Sequence, residues 1–206
     1  MYQAKRYLEE NWLDLPKPAT KGEISLEESL AKRSSVRKFK EQLLSLEEVA
    51  QLLWAAYGLT EVGRTAPSAG GIYPLSLYLI ARKVKDLEPG VYRYWPEGHR
   101  LSEIEIGDIG KELREVTFGQ SFVSQAPICL VVAADFGKAT DKYGKKGDSY
   151  VYIEVGHLGE NVYLQAQSLG LGTVAVGAFD EKLARNLFNI SENEEVLYLM
   201  PVGWPS

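Results

Sequence analysis

The sequence predicts an α+β fold with a central, mostly antiparallel sheet flanked by helices. Helical patterns come first along the chain, strands and helices are mixed afterwards, and hairpin-type strands outnumber clean strand–helix alternations. The 206 residues, of which 45% are hydrophobic and 25% charged, suffice for one full core without a second domain. We therefore expect an N-terminal helix and linker over residues 1–24 and a single domain over residues 25–206.

Two helix starts of the same kind open the predicted domain. Ser25 and Ser45 are each followed three residues later by a glutamate, which is the capping-box pattern. The helix after Ser45 should end at Gly58. Before them, a short helix is expected near Tyr2–Leu13, and an extended, proline-bearing linker should follow it.

Strands are predicted where β-branched and aromatic residues run between turn residues. Leu75–Ala81 begins just after a proline, Gly90–Leu101 has the pattern of a hairpin, and Ile128–Ala134 is a short apolar run. The remaining predicted elements are a helix over Ile109–Val116, a helix over Val151–Leu169, a strand over Thr173–Val176, a short helix capped by Asp180 and a strand over Val196–Val202.

Val151–Leu169 is the most apolar of the predicted helices. Its hydrophobic residues fall on nearly every side, so we expect it to be buried nearly all round. Glycine inside a helix costs about 1 kcal/mol relative to alanine, so Gly156 and Gly159 indicate a close approach by a partner helix or a ligand ring. His157 is more typical of a structural histidine than of a general acid.

Charge and composition exclude several classes of protein. A net charge of −5 and a pI near 5.2 are not those of a nucleic-acid-binding or membrane-surface protein. Cys129 is the single cysteine, and its apolar neighbours favour a buried small side chain over a nucleophile. No spacing of metal ligands is seen. Without a signal peptide or a membrane-spanning run, a cytoplasmic location is expected.

The first candidate binding segment is Arg33–Arg37. If it is extended, Arg33, Ser35 and Arg37 point to one side, because side chains alternate along a strand. Two guanidinium groups and a hydroxyl suit a phosphate and an electron-rich carbonyl. A solvated basic edge after a helix C-terminus is the alternative on these residues alone.

Two further segments carry small residues in turns. Ala66–Pro74 would let a backbone approach a flat ligand. In Val174–Asp180, the backbone N–H groups of Gly177 and Ala178 could donate to a ring nitrogen or carbonyl. An ordinary turn is the alternative for each segment.

Together and in this order, these segments resemble the nitroreductase superfamily of FMN-dependent flavoproteins over roughly residues 25–205. The resemblance implies a homodimer with the flavin at the subunit interface. The implied phosphate contacts are Arg33 and Ser35, Ser34 between them is also assigned to cofactor binding, and Arg37 would face the pyrimidine end of the flavin. The implied ring contacts are the loop of Pro67, Ser68, Ala69 and Gly70, usually from the other subunit, and the segment of Val176, Gly177 and Ala178, whose backbone would donate to flavin N5 and O4.

The closer resemblance is to the branch of SagB-like azoline dehydrogenases. Four stretches carry it in order, namely Pro67–Pro74, Lys142–Gly144, Glu154 to His157, and Gly170–Thr173 with Val176–Phe179. It implies that Lys142 and Tyr143 act as base and positioning group in catalysis, although a mobile charged loop over Asp141–Asp148 is the alternative. The sequence departs from the superfamily in having no Lys or Arg near Gly203–Ser206 to complete a phosphate site.

The function expected from these observations is an FMN-dependent oxidoreductase. It would pass a hydride from NADH or NADPH through the flavin to a small acceptor, such as a nitro compound or a quinone, in a ping-pong cycle. An azoline or thiazoline dehydrogenase is one alternative. A flavin-binding protein without turnover is the other.

Overall fold

The computed structural model describes residues 11–206, and within them the strands form one large sheet and one small hairpin. In chain order the strands are β1 (Trp12–Asp14), β2 (Leu59–Thr60), β3 (Gly63–Arg64), β4 (Leu75–Ala81), β5 (Gly90–Trp95), β6 (Arg100–Ile106), β7 (Ile128–Ala134), β8 (Gly172–Thr173) and β9 (Glu195–Gly203). Strands β2 and β3 pair with each other. The others form an antiparallel sheet in the order β1-β6-β5-β4-β7-β9-β8. The predicted α+β class is confirmed.

The helices of the described chain are α1 (Leu26–Lys32), α2 (Leu46–Tyr57), α3 (Gly110–Val116), α4 (Ser121–Gln125), α5 (Phe136–Tyr143), α6 (Lys146–Ser168) and α7 (Glu181–Leu187). The helices α1, α2 and α7 begin where the sequence signals place them, whereas α6 begins five residues before the predicted Val151 and α4 and α5 were not predicted. Ser25 caps α1, Ser45 forms a full capping box at α2, and Asp180 caps α7. Gly58 ends α2. Because caps depend on local hydrogen bonds, they could be predicted from short patterns.

The central strands are buried on both faces. Alternate residues of β4 and β7 point to two separate apolar clusters, one under α2 and α6 and the other under α3, α4 and α7. Cys129 belongs to the second cluster, and burial raises the pKa of its thiol. The prediction of a buried, unreactive cysteine is confirmed.

The helix predicted near Tyr2–Leu13 can be compared with the structure only from residue 11 onward, and there the prediction is wrong. Residues 1–10 lie outside the described part of the chain. Trp12–Asp14 is strand β1, which extends the sheet by pairing antiparallel with β6. Arg100 of β6 lies over the Trp12 ring, 3.6 Å from its centroid. Pairing with a distant strand therefore overrides the local pattern.

The long helix α6 is not buried all round, contrary to the sequence prediction. Tyr152 and Ile153 are 58% and 53% exposed. A Cβ at Gly159 would meet the Tyr198 ring at 3.5 Å, whereas one at Gly156 would have no atom within 4 Å. One face of α6 thus packs on the sheet and another lies open in the single chain. No helix within residues 11–206 has both the length and the apolar character needed to cross a membrane.

Candidate functional site

Tyr163 of α6 joins two of the predicted binding segments. Its hydroxyl accepts a hydrogen bond from the Ala175 backbone N–H at 2.9 Å and lies 3.0 Å from Ser35 Oγ. The Arg33 guanidinium lies over the Tyr163 ring, 5.2 Å from its centroid. Arg33 and Ser35 therefore lie on the same side of their segment, as the alternation of side chains predicts.

The backbone around Ser35 runs alongside β8. Ser35 forms a parallel bridge with Thr173, and the Val36 N–H donates to the Thr173 carbonyl at 2.9 Å. A Cβ at Gly172 would lie 2.5 Å from Val36 Cγ2, so the glycine permits this close approach. Ser34 and Ser35 are exposed at the surface of this contact.

Arg37 is also exposed, and the stretch that follows it pairs with the C-terminal segment. The Lys40 N–H donates to the Trp204 carbonyl at 2.8 Å, and the Ser206 N–H donates to the Lys38 carbonyl at 3.2 Å. The segment in which the resemblance expects a basic residue therefore runs beside a stretch that carries exposed lysines of its own.

The segment after β8 presents backbone donors. Val176 is buried and exchanges two backbone hydrogen bonds with Leu199, whereas Gly177 and Ala178 are exposed. The Ala178 carbonyl accepts from the Gln120 side-chain amide at 2.8 Å. Within residues 11–206, the N–H groups of Gly177 and Ala178 have no acceptor. Two adjacent exposed donors of this kind can bind a ring nitrogen and a carbonyl oxygen.

The glycine-rich loop is a single 3₁₀ turn over Ala69–Gly71. Gly70 and Gly71 have φ of +61° and +66°, in the left-handed region that favours glycine. Pro67, Gly70 and Gly71 are exposed. The loop therefore presents backbone, not bulky side chains, to the outside.

The Ser68 side chain forms hydrogen bonds within the loop and beneath it. Its hydroxyl oxygen accepts from the Tyr73 N–H at 2.9 Å and also hydrogen-bonds the Glu154 carboxyl group. These contacts tie both ends of the loop to α6. Only the Ser68 backbone can then serve a ligand above the loop.

Glu154 is the buried acid beneath the loop, with 2% of its surface exposed. It accepts a 2.5 Å hydrogen bond from the Tyr57 hydroxyl of α2. Burial raises the pKa of Glu154, although hydrogen bonds from Ser68 and Tyr57 and the charges of Arg64 and His157 oppose the rise. Burial, the first cause, and the nearby carboxylate raise the pKa of Tyr57 as well.

Lys142 and Tyr143 form the last turn of α5 and reach the same loop. The Lys142 ammonium donates to the Gly70 carbonyl at 3.3 Å. The Tyr143 ring packs edge-on against Tyr150, with ring centroids 5.1 Å apart. The alternative of a mobile loop over Asp141–Asp148 is wrong, because α5 and α6 occupy most of it.

The two sets of contacts lie on opposite faces of α6. Glu154 and Tyr163 are nine residues apart, which corresponds to about 13.5 Å along a helix and two and a half turns around it. Within one chain, the loop and the Arg33–Ser35 segment are thus separated by the width and part of the length of α6. The Arg33–Ser35 segment meets Thr173 and, through Tyr163, Ala175, which directly precedes Val176–Ala178. The loop lies elsewhere, with Lys142 and Tyr143.

His157 is exposed on α6, contrary to the prediction of a structural histidine in a buried helix. Tyr57 and Tyr163 are site residues that the sequence reasoning missed. No group of three or more His, Cys, Asp and Glu side chains is placed to hold a metal ion in the described part of the chain.

Comparison with known proteins decides the family. The profile of the nitroreductase family matches residues 30–204. The chain belongs to the nitroreductase family. A protein of Methanocaldococcus jannaschii, MJ1384, named as a candidate nitroreductase, is 46% identical over 183 residues, which cover 88% of this chain and 91% of that protein. Family membership supports an oxidoreductase.

Two further proteins are similar to this chain. A crystal structure from Ralstonia eutropha, described as a candidate nitroreductase, has a TM-score of 0.83 and 32% sequence identity, and it covers 96% of this chain and 90% of that one. The Microcin B17-processing protein McbC of Escherichia coli is 28% identical over 153 residues, which cover 70% of this chain and 56% of McbC. This chain therefore spans only about half the length of McbC.

Proposed function

We propose that this family member is an FMN-dependent oxidoreductase that transfers a hydride from NADH or NADPH to a small acceptor, such as a nitro compound or a quinone. The surface formed by Arg33 and Ser35, which Tyr163 joins to Ala175 two residues before the exposed N–H groups of Gly177 and Ala178, carries the proposal. One end of this surface offers a charge and hydroxyls, and the other offers two backbone donors.

The first end fits a phosphate. Arg33 is half-buried, and the Tyr163 ring beneath it restricts its guanidinium. The exposed hydroxyls of Ser34 and Ser35 are its neighbours. A planar guanidinium that is held in place loses less conformational freedom on binding an anion than a freely moving side chain does.

The second end fits a flavin ring. FMN, when bound, would supply the hydride chemistry, and the protein would supply position and charge. The Gly177 and Ala178 N–H groups would hold the ring at N5 and O4. Arg37, which is exposed on the segment that follows Ser35, would stabilise negative charge at the pyrimidine end.

A second copy of the chain would complete this site. The loop and the Arg33–Ser35 segment lie on opposite faces of α6, so one flavin would meet the loop of the partner subunit. Exposed apolar residues support such a dimer, since Leu26 and Leu30 of α1 are 59% and 52% exposed and Ile153 of α6 is 53% exposed. If light scattering shows a monomer that still binds one FMN per chain, the shared site is wrong.

The test is an absorbance spectrum of the purified protein with added FMN, followed by NADH or NADPH under anaerobic conditions. Flavin bands that appear with the protein and bleach with a nicotinamide would support the reductase. Bound flavin that neither nicotinamide bleaches would favour the alternatives. A protein that binds no FMN would end the proposal.

A second candidate is an azoline or thiazoline dehydrogenase. The contact of Lys142 and Tyr143 with the Gly70 loop favours it, together with the similarity to McbC. Lys142, in its neutral amine form, would accept a proton from the heterocycle, FMN would supply the hydride-accepting chemistry when bound, and dioxygen would reoxidise the flavin with release of hydrogen peroxide. Oxidation of a thiazoline peptide without consumption of nicotinamide would support this function over the reductase.

A further inference from the structure

Gly70 and Gly71 share a backbone conformation but differ in their surroundings. Both are left-handed, with φ of +61° and +66°. A Cβ at Gly70 would lie 2.7 Å from Lys142 Nζ and would overlap the Tyr143 hydroxyl oxygen. A Cβ at Gly71 would have no atom within 4 Å. The left-handed backbone favours glycine at both positions, but the surrounding atoms exclude a side chain only at Gly70.

The atoms that a Gly70 side chain would meet belong to side-chain ends. Lys142 Nζ lies 5.5 Å from the centroid of the Tyr143 ring and donates to the Gly70 carbonyl. Tyr150 supports the Tyr143 ring from the other side. An added methyl group would therefore displace the ammonium and the hydroxyl, while α5 and the loop stay folded.

We propose that Gly70 is a positioning residue that, by lacking a side chain, sets the Lys142 ammonium and the Tyr143 hydroxyl side by side at the exposed surface of the loop. Both groups can donate a proton or a hydrogen bond to one small molecule there. This inference rests on the proposed function, in which the loop lies along a flavin. It assigns the Lys142–Tyr143 pair to the substrate that reacts at that flavin.

The experiment compares Gly70→Ala with Gly71→Ala. The second variant carries the same unfavourable backbone conformation without the steric overlap, so the two should have similar melting temperatures. Turnover of the acceptor should fall in Gly70→Ala by a further factor on the order of 10 to 100, because small displacements of reacting groups have effects of that size. Turnover is expressed per bound flavin, so that any change in flavin content is removed from the comparison, and the KM for the nicotinamide should match between the two variants.

The same pair of variants in a Lys142→Ala/Tyr143→Phe background gives a double-mutant cycle. With the ammonium and the hydroxyl gone, the two alanine variants should have equal turnover. If Gly70→Ala alone does not fold, this background should restore its folding. If the turnover of the two alanine variants still differs in the Lys142→Ala/Tyr143→Phe protein, the proposal is overturned.

The outcomes separate this inference from the proposed function. A wild-type protein that binds no flavin, or whose flavin is not reduced, removes the proposed function and with it this inference. A wild-type protein that turns over normally while the two alanine variants are equally active overturns the role of Gly70 alone.

Discussion

The two faces of α6 hold their segments by opposite means. On one face the Tyr163 hydroxyl contacts Ser35, and its ring lies beneath the half-exposed Arg33 guanidinium. On the other face the buried carboxyl group of Glu154 ties down Ser68 from below. A site for an anion keeps its charge available to the ligand. A loop that must keep its shape is held by a buried carboxyl group beneath it.

Because of this difference, substitutions on the two faces of α6 should change different properties, namely stability on the loop face and ligand binding on the Arg33 face. Changes beneath the loop remove partners from buried polar groups and should destabilise the fold. Changes at the Arg33 end affect groups at the surface and should weaken binding while the fold persists. The predictions that follow test this separation, from the largest expected effect to the smallest.

Glu154→Ala should lower the free energy of unfolding by about 3 kcal/mol, because the Tyr57 hydroxyl and the Ser68 hydroxyl lose a buried acceptor. Urea denaturation measures the loss. Glu160→Ala is the matched control on the same helix, since Glu160 is exposed and its removal should change stability by about 0.5 kcal/mol or less. Equal losses in the two variants would contradict a structural role for Glu154.

Arg33→Ala should weaken FMN binding by about 1.5–3 kcal/mol, the usual range for a charged hydrogen bond, and leave the melting temperature nearly unchanged. Fluorescence titration of FMN measures the affinity. Lys32→Ala is the control, because Lys32 is an exposed neighbouring cation that pairs with Glu28. If the Lys32 variant loses as much affinity as the Arg33 variant, the effect is one of general charge and the phosphate assignment is wrong.

Tyr163→Phe should lower the free energy of unfolding by about 1 kcal/mol, because it removes the hydroxyl that hydrogen-bonds both Ser35 and the Ala175 N–H. The loss should appear in FMN affinity as well as in stability, since the ring under Arg33 remains but Ser35 loses a contact. Calorimetry and the same titration measure the two. An effect confined to stability would show that Tyr163 does not support the binding segment.

Glu154 should also make the stability depend on pH, with an effect smaller than those of the substitutions above. Its pKa is raised by burial in the folded protein, so the folded state binds the proton more tightly than the unfolded state does. The stabilisation that Glu154 contributes to the folded state is therefore fully present below the ordinary carboxyl pKa, and it is lost as the pH rises through the raised pKa. Glu154→Gln should lack that decline in denaturation curves from about pH 4 to pH 8. Parallel curves for the two proteins would contradict it.

The sequence predicts elements whose signals are local. The bounds of β4 and β7 match the predicted strands, and the caps at Ser25, Ser45 and Asp180 form as expected. Strand β1 could not be predicted, because its conformation depends on pairing with β6, more than 80 residues away. The open face of α6 was missed for a similar reason, since hydrophobic side chains alone do not say whether the same chain covers them.

The candidate site divides in the same way. The segments of Arg33, Ser35 and Gly177 were found from short motifs. Tyr163 was not, because it meets Ser35 across 128 residues of chain, and a tyrosine in an apolar helix looks like part of the core. Tyr57 likewise reaches Glu154 across 97 residues. The sequence predicts which residues carry the chemistry, whereas the residues that hold them in place depend on contacts between distant parts of the chain.

A titration of wild type and Arg33→Ala with FMN and with riboflavin, which lacks the phosphate, tests the central claim most directly. The account predicts that wild type binds FMN more tightly than riboflavin and that Arg33→Ala removes most of this preference while riboflavin affinity stays the same. Equal affinity of the wild type for both flavins, or no binding of either, would contradict it.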